Sequence, residues 1–245
     1  MILERFQLKQ YRNEWKYLIN EIQAQQMKER ICSVMEKDSF ANEAGQYVVR
    51  SIYFDDYYDT CARKNVSGDG IRYKYRIRYY NDSLQRISLE KKEKKNSYCH
   101  KRSALLSVEE TQMLITGKPE ELLWSTSGEL VREFATDILT KAFAPKVIIS
   151  YTREAFVEPI TNVRITFDSK ITASDEFDMF LSPEQYLSIP FISDNQRVLE
   201  VKFDEVLPSY VKKVIQNTTI NQQAFSKYYM GRIAIQNFYQ KGAII

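Results

Sequence analysis

From Ile71 to Tyr79 the chain alternates without a break. Arg72, Lys74, Arg76 and Arg78 fall on one parity, and Ile71, Tyr73, Tyr75, Ile77 and Tyr79 on the other. A period of two is that of a strand, so this segment has one basic and one apolar face. Asn81-Asp82-Ser83 reads as a turn. Alternation then resumes from Ile87 to Lys94, with Ser88, Glu90, Lys92 and Lys94 opposite Ile87 and Leu89, and the two segments predict an antiparallel hairpin. Like charges two residues apart on a strand are about 6.6 Å apart and repel by roughly 2.5 kcal/mol at an effective dielectric of 20. Solvent screens most of that on a wet face, whereas an enclosed face needs acidic partners or a bound anion.

The pattern recurs along the chain. Tyr11 to Ile19 sets Arg12, Glu14 and Lys16 against Asn13, Trp15 and Tyr17. Val163 to Asp168 sets Arg164, Thr166 and Asp168 against Val163, Ile165 and Phe167, and Val198 to Asp204 sets Glu200, Lys202 and Asp204 against Leu199, Val201 and Phe203. Tyr47 to Phe54, Tyr98 to Leu105 and Val147 to Phe156 complete the predicted strands, the last interrupted by Arg153. Helices are predicted from Asn20, an N-cap with Gln23 three residues on, to about Lys37, and from Ser107 with Glu110 to Gly117. Further helices are predicted over Glu129–Ala144, Pro208–Gln216 and Phe225–Phe238, with Pro145 ending the first of these. Asn65–Gly70 reads as a loop, Asn162 as a turn residue, and Ser182–Asn195 as irregular.

Two architectures fit this pattern: a sandwich with its polar parity in water, or a closed antiparallel β-barrel with a polar, basic interior and helices outside. Both are α+β arrangements of a single domain over residues 1–245. The density of long side chains of both signs on the polar parity, and the tyrosines on the other, point toward the barrel without excluding the sandwich.

Composition narrows the chemistry. The net charge is only +3 although 27% of residues are charged, so the basic face is a local enrichment and the overall charge is not that of a nucleic-acid coat. Cys32, Cys61 and Cys99 are odd in number and widely spaced, which fits reduced thiols and a cytoplasmic location. His100 is the only histidine, which argues against a zinc site or a histidine-based nucleophilic triad. No apolar run reaches the length of a transmembrane segment.

A series of motifs carries a resemblance. Arg12-Asn13-Glu14-Trp15-Lys16-Tyr17, Ser51-Ile52-Tyr53-Phe54-Asp55, Lys74-Tyr75-Arg76-Ile77-Arg78-Tyr79 and Leu89-Glu90-Lys91-Lys92 resemble the catalytic domain of VTC-type polyphosphate polymerases. So do Tyr151-Thr152-Arg153-Glu154, Arg164-Ile165-Thr166-Phe167-Asp168, Leu199-Glu200-Val201-Lys202 and Phe225-Ser226-Lys227-Tyr228. That family belongs to the triphosphate tunnel metalloenzymes, of the CYTH-like superfamily, and the resemblance implies the barrel. It also implies a transfer of the γ-phosphoryl group of ATP to inorganic polyphosphate with Mn²⁺ or Mg²⁺.

Carried over residue by residue, the resemblance implies that Arg76, Arg78, Lys92, Arg153, Arg164 and Lys202 act on the reacting phosphates. Lys16, Lys74, Lys101, Ser226 and Lys227 would bind substrate, and Glu200 would hold the metal. Glu14, Glu90 and Asp168 are further acids, either for the metal or for holding nearby bases in place. Arg72 and Lys94 read as ordinary charges, and Lys91 and Arg102 as lying outside. Arg12 stands where tunnel hydrolases carry an acid, and the membrane helices of the eukaryotic polymerases have no counterpart in these 245 residues.

The residue types suit phosphoryl transfer, which is mostly positioning and charge neutralisation. Arginine offers a planar fork, lysine a point charge, and a hard cation needs few protein carboxylates once phosphate oxygens complete its shell. The rival readings are a tripolyphosphate or nucleoside-triphosphate hydrolase and a polyphosphate-binding module without catalysis. Nucleic acid is not an expected partner.

Overall fold

The computed structural model describes residues 12–95, 98–124, 128–182, 187–216 and 220–242. Its elements are β1 (Asn13–Asn20), α1 (Glu21–Ile31), β2 (Glu36–Lys37), β3 (Gln46–Asp55), α2 (Thr60–Val66), β4 (Ile71–Tyr80), β5 (Ser83–Lys95) and β6 (Tyr98–Leu106). There follow α3 (Val108–Thr116), α4 (Glu129–Lys141), β7 (Ala144–Glu158), β8 (Val163–Ser174), β9 (Ile189–Pro190), β10 (Gln196–Phe203), α5 (Ser209–Gln216) and α6 (Lys227–Gly242). Tyr11, expected at the head of β1, lies outside the described residues.

The predicted hairpin is β4–β5. Its two-residue turn, Asn81-Asp82, has both φ angles positive, at 51° and 53°, the geometry that matches the twist of paired strands. Both expected capping boxes form: Asn20 with Gln23 opens α1, and Ser107 with Glu110 opens α3, which ends at Gly117 in the left-handed region (φ 70°).

All strand pairs are antiparallel, in the order β1-β10-β8-β7-β3-β4-β5-β6, with β2 and β9 added against β7 and β8. Paired residues share a face, so the registers define one long inner surface. Glu14 and Lys16 face Lys202 and Glu200, Glu200 faces Thr166, Arg153 faces Asp168, Arg76 faces Tyr53 and Glu90, and Lys92 faces Lys101. The outer face is apolar. Tyr17, Phe167, Leu199 and Val201 pack there with Met27 and Ile31 of α1 and Val211 and Ile215 of α5. Tyr75 stacks on Phe134 of α4, with ring centroids 4.3 Å apart.

Closure of the sheet differs from the expectation. The ladder ends at β1 on one side and β6 on the other, and among the described residues no hydrogen-bonded pairing joins them. The sheet still curls far enough for Lys92 on β5 to reach Glu14 on β1, 2.5 Å away. The free side of β1 is covered instead by the chain before α6, where Gln222 bridges Tyr17 and the Gln223 amide donates to the Lys16 carbonyl.

The placement of α6 also departs from helices packed outside. Val147 and Ile149 pair with Tyr53 and Ser51 on the inner face, and Ala173 pairs with Ile149. A Cβ at Gly231 of α6 would overlap Ile149 Cδ1 and crowd Ala173 and Val147, so this helix lies against the concave surface. Its amphipathic pattern resembles that of any core helix, and pattern alone does not say which side of a curled sheet it covers.

Two smaller expectations fail for local reasons. The first helix stops at Ile31, short of Lys37, because Glu36 and Lys37 pair with Val157 and Phe156 of β7 and the Asp38 amide donates to the Ala155 carbonyl. Part of the supposed loop at Asn65 is the end of α2. That helix begins where Asp55 accepts from the Cys61 and Ala62 amides and Asp56 from the Thr60 amide, a cap supplied from the preceding strand end.

Candidate functional site

The inner charges form three linked groups. On β4 and β5, Arg76 Nε donates to Glu90 at 2.6 Å and its Nη1 to the Tyr53 hydroxyl at 3.2 Å, while Lys101 takes the other Glu90 oxygen at 3.0 Å. Both Glu90 oxygens are thus engaged by cations. Burial opposes ionisation of Glu90, but Arg76, Arg78 and Lys101 outweigh it and hold the carboxyl far below its ordinary range.

On β7, β8 and α6, Arg153 makes a two-pronged contact with Asp168 at 2.6 and 2.8 Å, and Lys227 reaches the same carboxylate at 2.6 Å. Asp168 is fully buried, and although burial opposes its charge, Arg153 and Lys227 hold it ionised far below the usual range. Its stabilising effect is therefore present above the unfolded carboxyl pKa of about 4 and is lost as pH falls below that value. Asp168→Asn leaves two buried cations short of a partner, and a loss of about 3–5 kcal/mol is expected. Urea unfolding of both proteins from pH 7 to pH 3 checks this: the difference between them narrows on acidification, and a constant difference would contradict the assignment.

On β1 and β10, Glu14 and Glu200 share the Lys16 ammonium. Lys16 is 3.0 Å from Glu14 and 3.9 Å from Glu200, Lys202 is 3.4 Å from Glu200, and Lys92 is 2.5 Å from Glu14. Arg153 Nη2, 3.6 Å from Glu200, links this group to the second. Among the described residues no three or more potential ligands of the His, Cys, Asp or Glu types cluster. Two carboxylates side by side still supply hard oxygens, enough for Mn²⁺ or Mg²⁺ when phosphate oxygens and water complete the shell. The hydroxyl of Thr166, opposite Glu200 in the register, is buried with no hydrogen-bond partner, a further oxygen free to serve a ligand or its water. The residues fit such an ion.

Of the bases expected in the site, Arg78 and Lys74 have no carboxylate within ion-pair distance among the described residues. Arg78 is 5% exposed and is held by hydroxyls: Ser51 at 2.9 Å, Tyr151 at 3.3 Å and Tyr80 at 3.5 Å. Lys74 sits 5.9 Å from the Tyr53 ring centroid. Burial, joined by Lys92, Lys16 and Arg76, lowers Lys74 to about 8, and burial likewise brings Lys202 to about 8. Tyr53 is lowered as well, but by charge and against its burial: burial opposes its ionisation, and Arg76, Arg78 and Lys74 bring it down to about 7.

Arg164 stands apart from these groups, paired with Asp38 at 2.5 Å and the Tyr47 hydroxyl at 2.8 Å, with its side chain 34% exposed. The Lys101 side chain is 53% exposed. Ser226 precedes α6, and its Oγ accepts from the Tyr229 amide at 3.4 Å. As expected, Lys91 is on the outer face, buried beside Glu133 and the Tyr73 ring, and Arg102 pairs with Glu133 there. Tyr53, Tyr80 and Tyr151 were not among the expected site residues. Parity was the available signal, since Tyr53 shares a face with Ser51, and Tyr151 with Arg153.

The VTC domain family model matches residues 11–235. The chain belongs to the VTC domain family. No curated protein sequence matches it. Among solved structures, a candidate adenylate cyclase from Bacillus halodurans is 15% identical, with a TM-score of 0.51 over 89% of this chain and 94% of the other. A candidate adenylyl cyclase from Hippeastrum, described as having a dominant triphosphatase activity, is 11% identical, with a TM-score of 0.54 over 91% and 95%. At these identities the likeness establishes a shared fold. That fold is the antiparallel, sheet-rich α+β arrangement described above. No helix among the described residues is long and apolar enough to cross a membrane.

Proposed function

We propose that this VTC domain, acting as one unit, is a polyphosphate polymerase. The γ-phosphoryl group of ATP passes to the terminal oxygen of a polyphosphate chain held on the inner face: the bond from the γ-phosphorus to the bridging oxygen breaks, ADP leaves, and a new phosphoanhydride forms. The observation that carries the reading is Arg78, a buried guanidinium oriented by three hydroxyls with no carboxylate at ion-pair distance. Glu90 acts on Arg78 only from beyond ion-pair distance and is itself bonded to Arg76 and Lys101, so a phosphate oxygen would supply the direct charged partner that this guanidinium lacks.

In this reading Arg78, Arg76, Lys74 and Lys92 hold the phosphates from the β4–β5 wall. Arg153, Lys202 and Lys16 hold them from the opposite wall, Lys227 and Ser226 from the start of α6, and Lys101 and Arg164 from the more exposed rim. Glu200 with Glu14 holds the divalent ion, which when bound neutralises charge on the phosphate oxygens. No protein nucleophile is required, because the acceptor phosphate provides the attacking oxygen.

Purified protein incubated with γ-labelled ATP, Mn²⁺ and a short polyphosphate primer is expected to lengthen the primer. Release of labelled orthophosphate without chain growth would replace this reading with hydrolysis. Tight binding with no turnover in any divalent metal would reduce it to a binding module. A pH dependence follows from Lys74 and Lys202: each loses its proton as pH rises through about 8. Tripolyphosphate affinity measured by calorimetry between pH 7 and 9.5 is expected to fall across that range. Lys74→Ala should bind more weakly at pH 7 and show a flatter decline, and an unchanged profile in that variant would contradict the role given to Lys74.

A further inference from the structure

On the inner face, β3 meets β4, β7 and α6 at Tyr53. Its register partners are Arg76 and Val147, its ring stacks on Tyr228 with centroids 5.5 Å apart, and it is 3% exposed. That stack is anchored. The Tyr228 hydroxyl donates to the fully buried Asp55 at 2.6 Å, and Asp55 in turn accepts from the Cys61 and Ala62 amides of α2. The Tyr53 hydroxyl is thus held in place by packing that does not depend on any ligand.

A phenol has one proton to give and lone pairs with which to receive. The Tyr53 oxygen receives from Arg76 Nη1 at 3.2 Å, and among the described residues no atom accepts its proton. Tyr75, Tyr79 and Tyr228, as deeply buried, donate theirs to Asp137, the Phe180 carbonyl and Asp55. The charged groups acting on Tyr53 are Arg76, Arg78 and Lys74 of β4 and Lys16 of β1, none of which accepts a proton in its charged form. Glu90, behind Arg76 on β5, has both oxygens engaged by Arg76 and Lys101, and the Tyr228 hydroxyl on α6 is spent on Asp55. A buried donor without an acceptor is costly, and the acceptor that suits a surround of bases is the oxygen of an anion.

We infer that Tyr53 is a direct ligand of the substrate, its hydroxyl donating to a non-bridging oxygen of the phosphate group that Arg76 holds. This rests on the proposed function and adds a neutral donor to a site otherwise read as bases and acids. In the free protein the same neighbours favour the phenolate: against its burial, Arg76, Arg78 and Lys74 bring Tyr53 down to about 7. Above that pH the ionised oxygen is itself a counter-charge for Arg76. A phenolate has no proton to donate and repels a phosphate oxygen, so binding at pH 8 returns one proton from solvent to Tyr53.

Tyr53→Phe keeps the ring and its stack on Tyr228 and removes only the hydroxyl. Calorimetric titration with tripolyphosphate at pH 6.5, without metal, is expected to show about tenfold weaker binding than the unaltered full chain, the size of a lost hydrogen bond to a charged acceptor. At pH 8 the near-ultraviolet absorbance of the unaltered chain is expected to carry a tyrosinate band that Tyr53→Phe lacks and that saturating tripolyphosphate removes. Equal affinity of the two proteins would overturn the direct contact while leaving the proposed function intact. Weaker binding by Tyr53→Phe with a tyrosinate band that survives saturation would also overturn it, because Tyr53 would then act only by orienting Arg76. No binding of tripolyphosphate by the unaltered chain would overturn the proposed function together with this inference.

Discussion

Arg78→Ala is expected to weaken tripolyphosphate binding roughly 10- to 100-fold, the range for losing hydrogen bonds between a charged donor and a charged acceptor. Folding stability is expected to fall less than on loss of Arg76 or Arg153, because no carboxylate at ion-pair distance is left without its partner. That combination separates Arg78 from Arg76 and Arg153, whose guanidinium groups are tied to Glu90 and Asp168 and whose removal would also strand those acids. Arg72→Ala is the matched control. Arg72 shares the strand parity, but its guanidinium is spent on the Asp69 carbonyl, so affinity should stay within about twofold. Calorimetry gives the affinities and urea unfolding the stabilities. An Arg78→Ala protein that binds as tightly as the unaltered chain would contradict the site.

Glu200→Gln is expected to lower metal-dependent turnover by roughly 100-fold or more, since a metal contributes several kcal/mol of charge stabilisation in phosphoryl transfer. Binding of tripolyphosphate without metal should be equal or tighter, because a negative charge 3.4 Å from Lys202 and 3.6 Å from Arg153 has been removed. Opposite movement of the two readouts is the signature: general disruption of the site would lower both. Turnover by Glu200→Gln at the unaltered rate, with the same Mn²⁺ dependence, would remove Glu200 from the metal site and leave Glu14 as the carboxylate to test.

Much of the fold was legible because alternation in a strand is a direct record of its two faces. Ile71 to Tyr79 and Val198 to Phe203 carried that record without interruption, and the registers put their charged parities on one inner surface. The capping boxes at Asn20 and Ser107 were equally readable, since each depends on side chains three residues apart. Closure was not readable. Whether β1 and β6 pair depends on strand stagger and curvature accumulated over the sheet, which no local pattern encodes. The side of the sheet that α6 covers was hidden for a similar reason, because Gly231 signals a close approach only once Ile149 is known to lie opposite it.

The site divides in the same way. Types and parity gathered Arg76, Arg78, Lys92, Arg153 and Glu200 on one face, but partner choice is a property of three dimensions. Sequence could not show that Asp168 is taken by both Arg153 and Lys227, or that Arg164 turns to Asp38, 126 positions away. Nor could it show that Arg78 is left to hydroxyls. Tyr53, Tyr80 and Tyr151 went unread because tyrosine was counted as apolar packing, and on this surface its hydroxyl orients guanidinium groups.

The central claim is that this inner face binds a triphosphate with a divalent ion. A crystal structure with Mn²⁺ and a non-hydrolysable triphosphate analogue tests it most directly. The account predicts phosphate oxygens within hydrogen-bond distance of Arg78 and Arg153, and Mn²⁺ between the Glu200 carboxylate and the analogue. An analogue bound only on the outer surface, or on the inner face with Mn²⁺ away from both Glu200 and Glu14, would contradict it.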